Sequence, residues 1–413
     1  MIRININKIK YICLFVIVVI SFWRSPFIFL NGRFIGEEAT NHLLYALQNS
    51  FLSNLFYYDT FAGYYNLIPN LLTELATKIP LEFSPFITVY GSLFFIILLP
   101  YLCLFRDSIF LDNNYKKIIA SFILFLSPPF VSEVWVNSLN VQIYLCLTAV
   151  LILFMENLNQ KQKIFNHVLI FFGSFSGIYT CALAPFYFFK FIVKKNQYNF
   201  FNFLILIIGN ILQISLIFKA KITNSLHSSV LSNDLNFELF VNFFYNVFAK
   251  AIFARQMTHY IWNKLNYFNV DYFLFFLTLG LIFLITIFIN FKKIYLLLIT
   301  DKVLSSLTLI FFLITFIVAI GGLGSYVGGR YAVIPGVIFL LIILHISFII
   351  KKVTYKIIFF VLIIFSISTG FYEFRPPVKN VKHQYIKYLD CINCPIWKDE
   401  VAKWRNRKDY IIG

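Results

Sequence analysis

Apolar and polar positions fall along this chain in long blocks. Neither the strict alternation of a half-buried strand nor the single stripe of a soluble helix dominates. Apolar runs cover 11–30, 86–105, 200–218, 272–291, 303–322, 331–350 and 356–371, and shorter ones cover 117–131 and 139–155. A helix crosses the hydrocarbon core with about 20 apolar residues, so most of these runs have bilayer length. Residues 168–193 are too few for two ordinary spans and long for one, and Gly173, Gly177 and Pro185 interrupt them. That interruption predicts two short helices that dip across and return, since irregular backbone is tolerated at membrane depth when packed in protein. The pattern therefore predicts an all-α polytopic membrane protein of about 11 membrane helices over residues 1–371, followed by a short tail over 372–413. No internal repeat is evident.

The polar blocks between the runs predict two long loops on one side, 31–84 and 219–271. In the first, Leu44, Leu47, Phe51 and Leu55 recur at helical spacing with Asn41, Gln48, Asn49 and Asn54 on other faces, predicting an amphipathic helix lying in the interface. Phe240, Phe243, Phe244, Val247 and Phe248 predict a second such helix in the later loop. Pro128-Pro129 ends the short third run, and SEVWVN makes a tight turn on the same side as the long loops.

Composition agrees with the blocks: 60% of residues are hydrophobic, 20% aromatic and only 13% charged, with a mean hydropathy of +0.79. The formal charge of +17 would suit a nucleic-acid partner, but its distribution argues against one. Seventeen of the 35 basic residues and only four of the 18 acids fall in the short segments of one parity, among them Arg106, Lys116, Lys117, Lys161, Lys163, Lys292, Lys293, Lys351 and Lys352. By the positive-inside rule this side is cytoplasmic, which puts the N-terminus inside the cell membrane and the tail outside it. The first run ends in WRSPF without a small-residue cleavage site, so it reads as an anchor.

Candidate chemistry collects on the outer side. Glu37 and Glu38 form an adjacent acidic pair just after the first run, at the start of the predicted interfacial helix. First-turn acids also complement a helix dipole, so a purely structural role is open. Two neighbouring carboxylates repel, which can raise one pKa into the range of a general base. His42 follows Glu38 by four residues, on the same helical face. Glu133 lies in the short outer turn, where it would orient an acceptor or a metal, or stand as a hydrated turn acid. Near the other end of the chain, GGLGSYVGGRYAVIP sets Arg330 and Tyr331 at the mouth of a span. A charge there is expensive without a partner. Arg330 reads either as an interface anchor with Tyr331 or as a phosphate site, because a guanidinium fork matches phosphate oxygens. His167, His227, His259, His345 and His383 show no ligand spacing, so neither a metal nor another cofactor is expected. Cys391 and Cys394 would form a local disulfide in an oxidising compartment. The closing WKDEVAKWRNRKDY is basic and amphipathic, with Trp397 and Trp404 on one face, and predicts packing on the outer surface or on the protein's own loops.

Together the acidic pair in a long first outer loop, the interfacial helix after it, the short second outer turn with an acid, the broken Gly-to-Pro segment and the Arg330, Tyr331, Pro335 element resemble the GT-C class of membrane glycosyltransferases. The resemblance covers roughly residues 1–350 as architecture. It implies inverting transfer of a sugar from a polyprenyl-phosphate donor to a glycan, lipid or protein acceptor on the outer face of the bilayer. It further implies Glu37 as the loop carboxylate that acts as base, Glu38 as its acidic neighbour and Arg330 as the residue near the lipid phosphate. The family often has Asp at the first position, which leaves the choice of base open between Glu37 and Glu38. An oligosaccharide polymerase or ligase would show several arginines in two large outer loops. A flippase or transporter would show inverted repeats and charges midway along spans; such charges are nearly absent.

Overall fold

In a computed structural model the chain is an all-α membrane protein. The structure describes residues 6–60, 62–127, 134–223, 245–254, 291–321, 329–374 and 396–406, with a few single positions between 257 and 281. Five helices among them are long and apolar enough to cross a bilayer: Ile6–Arg24, Ser84–Phe105, Gln197–Ile222, Arg330–Ile349 and Val353–Phe374. A bent pair, Gln160–Ser174 with Ile178–Lys194, turns by 120° at its break.

In chain order, α1 (Ile6–Arg24) and the short α2 (Pro26–Asn31) lead into the first loop. That loop carries α3 (Leu44–Gln48), α4 (Phe51–Leu55), a two-residue antiparallel ribbon pairing Tyr58 with Tyr65, and α5 (Leu67–Ala76). Then come α6 (Ser84–Phe105), α7 (Asn114–Leu126), α8 (Val141–Leu153), α9 (Gln160–Ser174), α10 (Ile178–Cys181), α11 (Ala184–Lys194) and α12 (Gln197–Ile222). The later described helices are α13 (Phe291–Thr300), α14 (Lys302–Gly321), α15 (Val333–Ile349), α16 (Val353–Phe374) and α17 (Trp397–Asn406).

Helix α8 lies at the centre. All 13 of its residues are buried, and Leu145, Cys146, Ala149 and Ile152 sit in a core shared with α6, α7, α9 and α15. The expected spans 117–131 and 139–155 correspond to α7 and α8, each 13 residues long. These are shorter than a bilayer needs, and protein rather than lipid surrounds α8. The expected span 272–291 lies almost wholly outside the described residues. Among the described residues five helices match bilayer length, and the expected count of 11 is not confirmed.

The broken segment appears where Gly173, Gly177 and Pro185 predict it. Gly177 has a φ of +128°, which only glycine adopts without strain, and a Cβ there would stand 1.8 Å from the Gln142 side-chain oxygen. Helix α9 ends where the carbonyl of Phe175 accepts the Leu67 amide of the first loop, at 2.9 Å. Helix α11 then descends until Lys190 donates to the carbonyls of Leu153 and Met155 and Lys194 pairs with Glu156. Both ends of the pair therefore return to one face, and the Gly-to-Pro break touches the other.

Candidate active site on the first loop

The first loop folds around buried amides. Asn70 is fully buried on α5 and donates to the carbonyls of Leu55 (3.2 Å) and Tyr57 (2.7 Å), while Asn54 donates to the Glu74 carboxylate (3.0 Å) and the Asn70 carbonyl (3.2 Å). With both amide hydrogens engaged, Asn70 turns its Oδ1 to His42 Nδ1 at 2.8 Å, so Nδ1 must be the donor and Nε2 keeps its lone pair. Burial pushes the His42 pKa down, against the Asn70 hydrogen bond and the nearby charges of Asp59 and Glu37. His42 is neutral at pH 7.

The two glutamates part company. Glu38 is fully buried; one oxygen accepts the Ile35 amide at 2.8 Å and the other accepts the Ser138 amide at 2.5 Å, from the start of the turn before α8. Burial pushes its pKa up to about 7, held back by the hydrogen bonds from Ser138, Ile35 and Thr88. The expected repulsion within the pair is not the cause; desolvation is. Glu38 staples the first loop to the second. Glu37, one residue earlier, is exposed and precedes the wide π-type turn of Glu38–Leu43.

Around His42 and Tyr64 the structure gathers groups from distant parts of the chain. Asp59, in the two-stranded ribbon, accepts from the Asn41 amide at 3.1 Å and acts electrostatically on both His42 and Tyr64. Tyr64 accepts a hydrogen bond from the Gln142 amide at 3.1 Å and lies in the field of Arg330. Arg330 donates to the Tyr331 hydroxyl at 3.1 Å, with its guanidinium carbon 5.0 Å from that ring. Burial raises the Tyr64 pKa, with Arg330 opposing, so the phenol stays protonated and can donate. Asp59 is thus the shared neighbour of His42, which also feels Glu37, and of Tyr64, which also feels Arg330 and Tyr331 from the opening of a late span. Glu133 lies outside the described residues, as do Cys391 and Cys394.

Two expectations change in detail. The interfacial helix is broken at Asn49–Ser50 into α3 and α4, with Ser50 capping α4 through its side chain; Leu44, Leu47 and Phe51 are nonetheless exposed outward, as an interfacial face requires. In the later loop, 240–244 lie outside the described residues, while Val247 is fully buried and Phe248 packs at a tilt against Phe311 and edge-on against Phe339, so this piece joins the core and not the interface. Sequence reasoning also missed Asp59, Tyr64, Asn70 and Glu74. Asn66, Asn70, Thr73 and Glu74 recur at helical spacing within an apolar stretch, a polar stripe that marks a face turned to other polar groups.

The closing helix docks on this same loop. Arg33 pairs with Glu400 at 3.2 Å, the Trp397 indole donates to the Leu81 carbonyl at 2.7 Å and packs edge-on against Phe34 at 5.1 Å, and Val401 joins Ala39 and Leu43 in a small second core. The tail and the acidic pair therefore share one face. No family model matches the sequence, and no curated protein aligns with it significantly.

Proposed function

We propose that this protein is a GT-C-like inverting glycosyltransferase that moves a sugar from a polyprenyl-phosphate donor to an acceptor on the extracytoplasmic face of the cell membrane. The observation that supports the reading is a run of electrostatic neighbours on one face: the exposed carboxylate Glu37 and Asp59 both act on His42, and Asp59 and Arg330 both act on Tyr64. Glu37 takes the proton from the acceptor hydroxyl as that oxygen bonds to the anomeric carbon. The bond from the anomeric carbon to the phosphate oxygen breaks in the same displacement, which inverts the centre, and polyprenyl phosphate leaves as an anion. Arg330 holds the phosphate, with the Tyr331 and Tyr64 hydroxyls beside it. His42, neutral and fixed in its tautomer, offers Nε2 to orient the acceptor. Glu38 acts as a positioning residue, setting the backbone that presents Glu37.

The test is a pair of variants assayed for transfer from a lipid-phosphate sugar in detergent, normalised to folded protein. Glu37→Gln keeps size and loses the proton acceptor, so turnover falls on the order of a hundredfold or more with donor binding retained. Arg330→Lys keeps charge and loses the planar fork, so donor binding and turnover fall together. Full activity of folded Glu37→Gln removes Glu37 as the base.

A further inference from the structure

The face opposite the acidic pair carries a cavity of about 950 Å³ where the ends of α8 and α11 meet the starts of α9 and α12. Its distance from the first site follows from α12: Gln213 hydrogen-bonds the backbone of Tyr65 in the first loop, whereas Gln197 lines the cavity. Sixteen residues of helix separate them, about 24 Å at 1.5 Å per residue.

Cations and donors crowd this cavity. Lys163, Lys190 and Lys194 line it, against one acid, Glu156. Lys194 is committed to Glu156 at 2.7 Å. Lys190 spends two of its donors on the carbonyls of Leu153 and Met155 and keeps a third. Lys163 makes no ion pair among the described residues. The first turns of α9 and α12 open here too, and their caps, Asn159 and Asn196, occupy only the amides of Gln162 and Asn199. Helix starts with free amides favour anions.

An apolar track leaves the cavity. Phe201 lines it and begins an exposed stripe along α12 that continues through Leu204, Ile208 and Ile211. The stripe is about 15 Å long at helical rise, enough to follow an acyl chain. A basic, amide-lined head site joined to a lipid-facing track fits an amphiphilic anion and not a free one.

We propose that this cavity binds a membrane lipid through its anionic phosphate headgroup, with Lys163, Lys190 and the first-turn amides of α9 and α12 on the phosphate and the α12 stripe along the tail. It is distinct from the acidic-pair site and does not depend on the glycosyltransferase reading. The test is native mass spectrometry of the full chain in detergent, titrated with phosphatidylglycerol or phosphatidylcholine. Phosphatidylglycerol should form the tighter adduct. Lys163→Gln should weaken it about tenfold, the loss expected for one charge-assisted contact, and Lys163→Arg should restore it. Excess inorganic phosphate should leave the lipid adduct intact. Equal binding of the two lipids, an unchanged Lys163→Gln protein, or displacement by inorganic phosphate would each overturn the proposal.

Discussion

Glu38 offers a sharp test of the site's electrostatics through stability alone. Its pKa rises from 4.5 to about 7 in the folded protein because burial penalises the charged form. The folded state therefore holds this proton more tightly than the unfolded chain does. By linkage, the contribution is fully present below pH 4.5 and is lost as pH rises through about 7. At about 1.4 kcal/mol per tenfold change in protonation, the loss amounts to about 3 kcal/mol across that window. Glu38→Gln removes the titration. The amide still accepts one of the two backbone hydrogens from Ile35 and Ser138 but presents an NH2 to the other. That mismatch costs about 1–3 kcal/mol independently of pH. Thermal unfolding of wild type and variant in detergent, followed from about pH 5 to about pH 8, should therefore show wild type ahead at the acid end. Its lead should shrink by about 3 kcal/mol towards the alkaline end. Two curves that stay parallel over the whole range would refute a buried, desolvated Glu38.

Two further outcomes follow from the same geometry. Trp397→Ala removes a side chain only 2% exposed together with its hydrogen bond to Leu81, a loss of about 3–5 kcal/mol in packing that a partly exposed Arg33–Glu400 ion pair of about 1 kcal/mol cannot offset; a disulfide engineered between positions 33 and 400 should form readily with Trp397 present and poorly without it, and equal yields would show that the tail helix docks by other means. Reporter fusions should give cytoplasmic signals at Lys161 and Lys293 and an extracytoplasmic one at Gly413; a cytoplasmic signal at Gly413 would invert the orientation inferred from the basic loops.

The polarity of the chain, read residue by residue, was enough to establish that this is a helical membrane protein, where several of its long apolar helices lie, and that residues 168–193 break at Gly173, Gly177 and Pro185; the first helix is Ile6–Arg24, several residues earlier than the run at 11–30. Those features depend on hydrophobicity summed over a window and on the backbone freedom of single glycines, both local properties. The tail helix was legible for the same reason: Trp397 and Trp404 lie on one face, and such a face needs a partner. What the pattern could not tell is which apolar runs face lipid. Helices α7 and α8 have the same composition as spans, yet α8 is enclosed on every side, and burial against protein or against acyl chains demands the same side chains.

The site divides along the same line. Glu37, Glu38, His42, Arg330 and Tyr331 could be singled out because charged or polar groups near apolar runs are costly without a purpose. Only the tertiary structure assigned different environments to two adjacent glutamates. One residue of helical rotation turns Glu38 towards the Ser138 and Ile35 amides and leaves Glu37 open. Asp59, Tyr64 and Asn70 were invisible as single polar residues, since their meaning lies in partners up to 270 residues away. Sequence determines which residues must be buried or exposed, because transfer free energy belongs to each side chain. Which carboxylate meets which amide depends on how the helices cross, and that belongs to the packed structure alone.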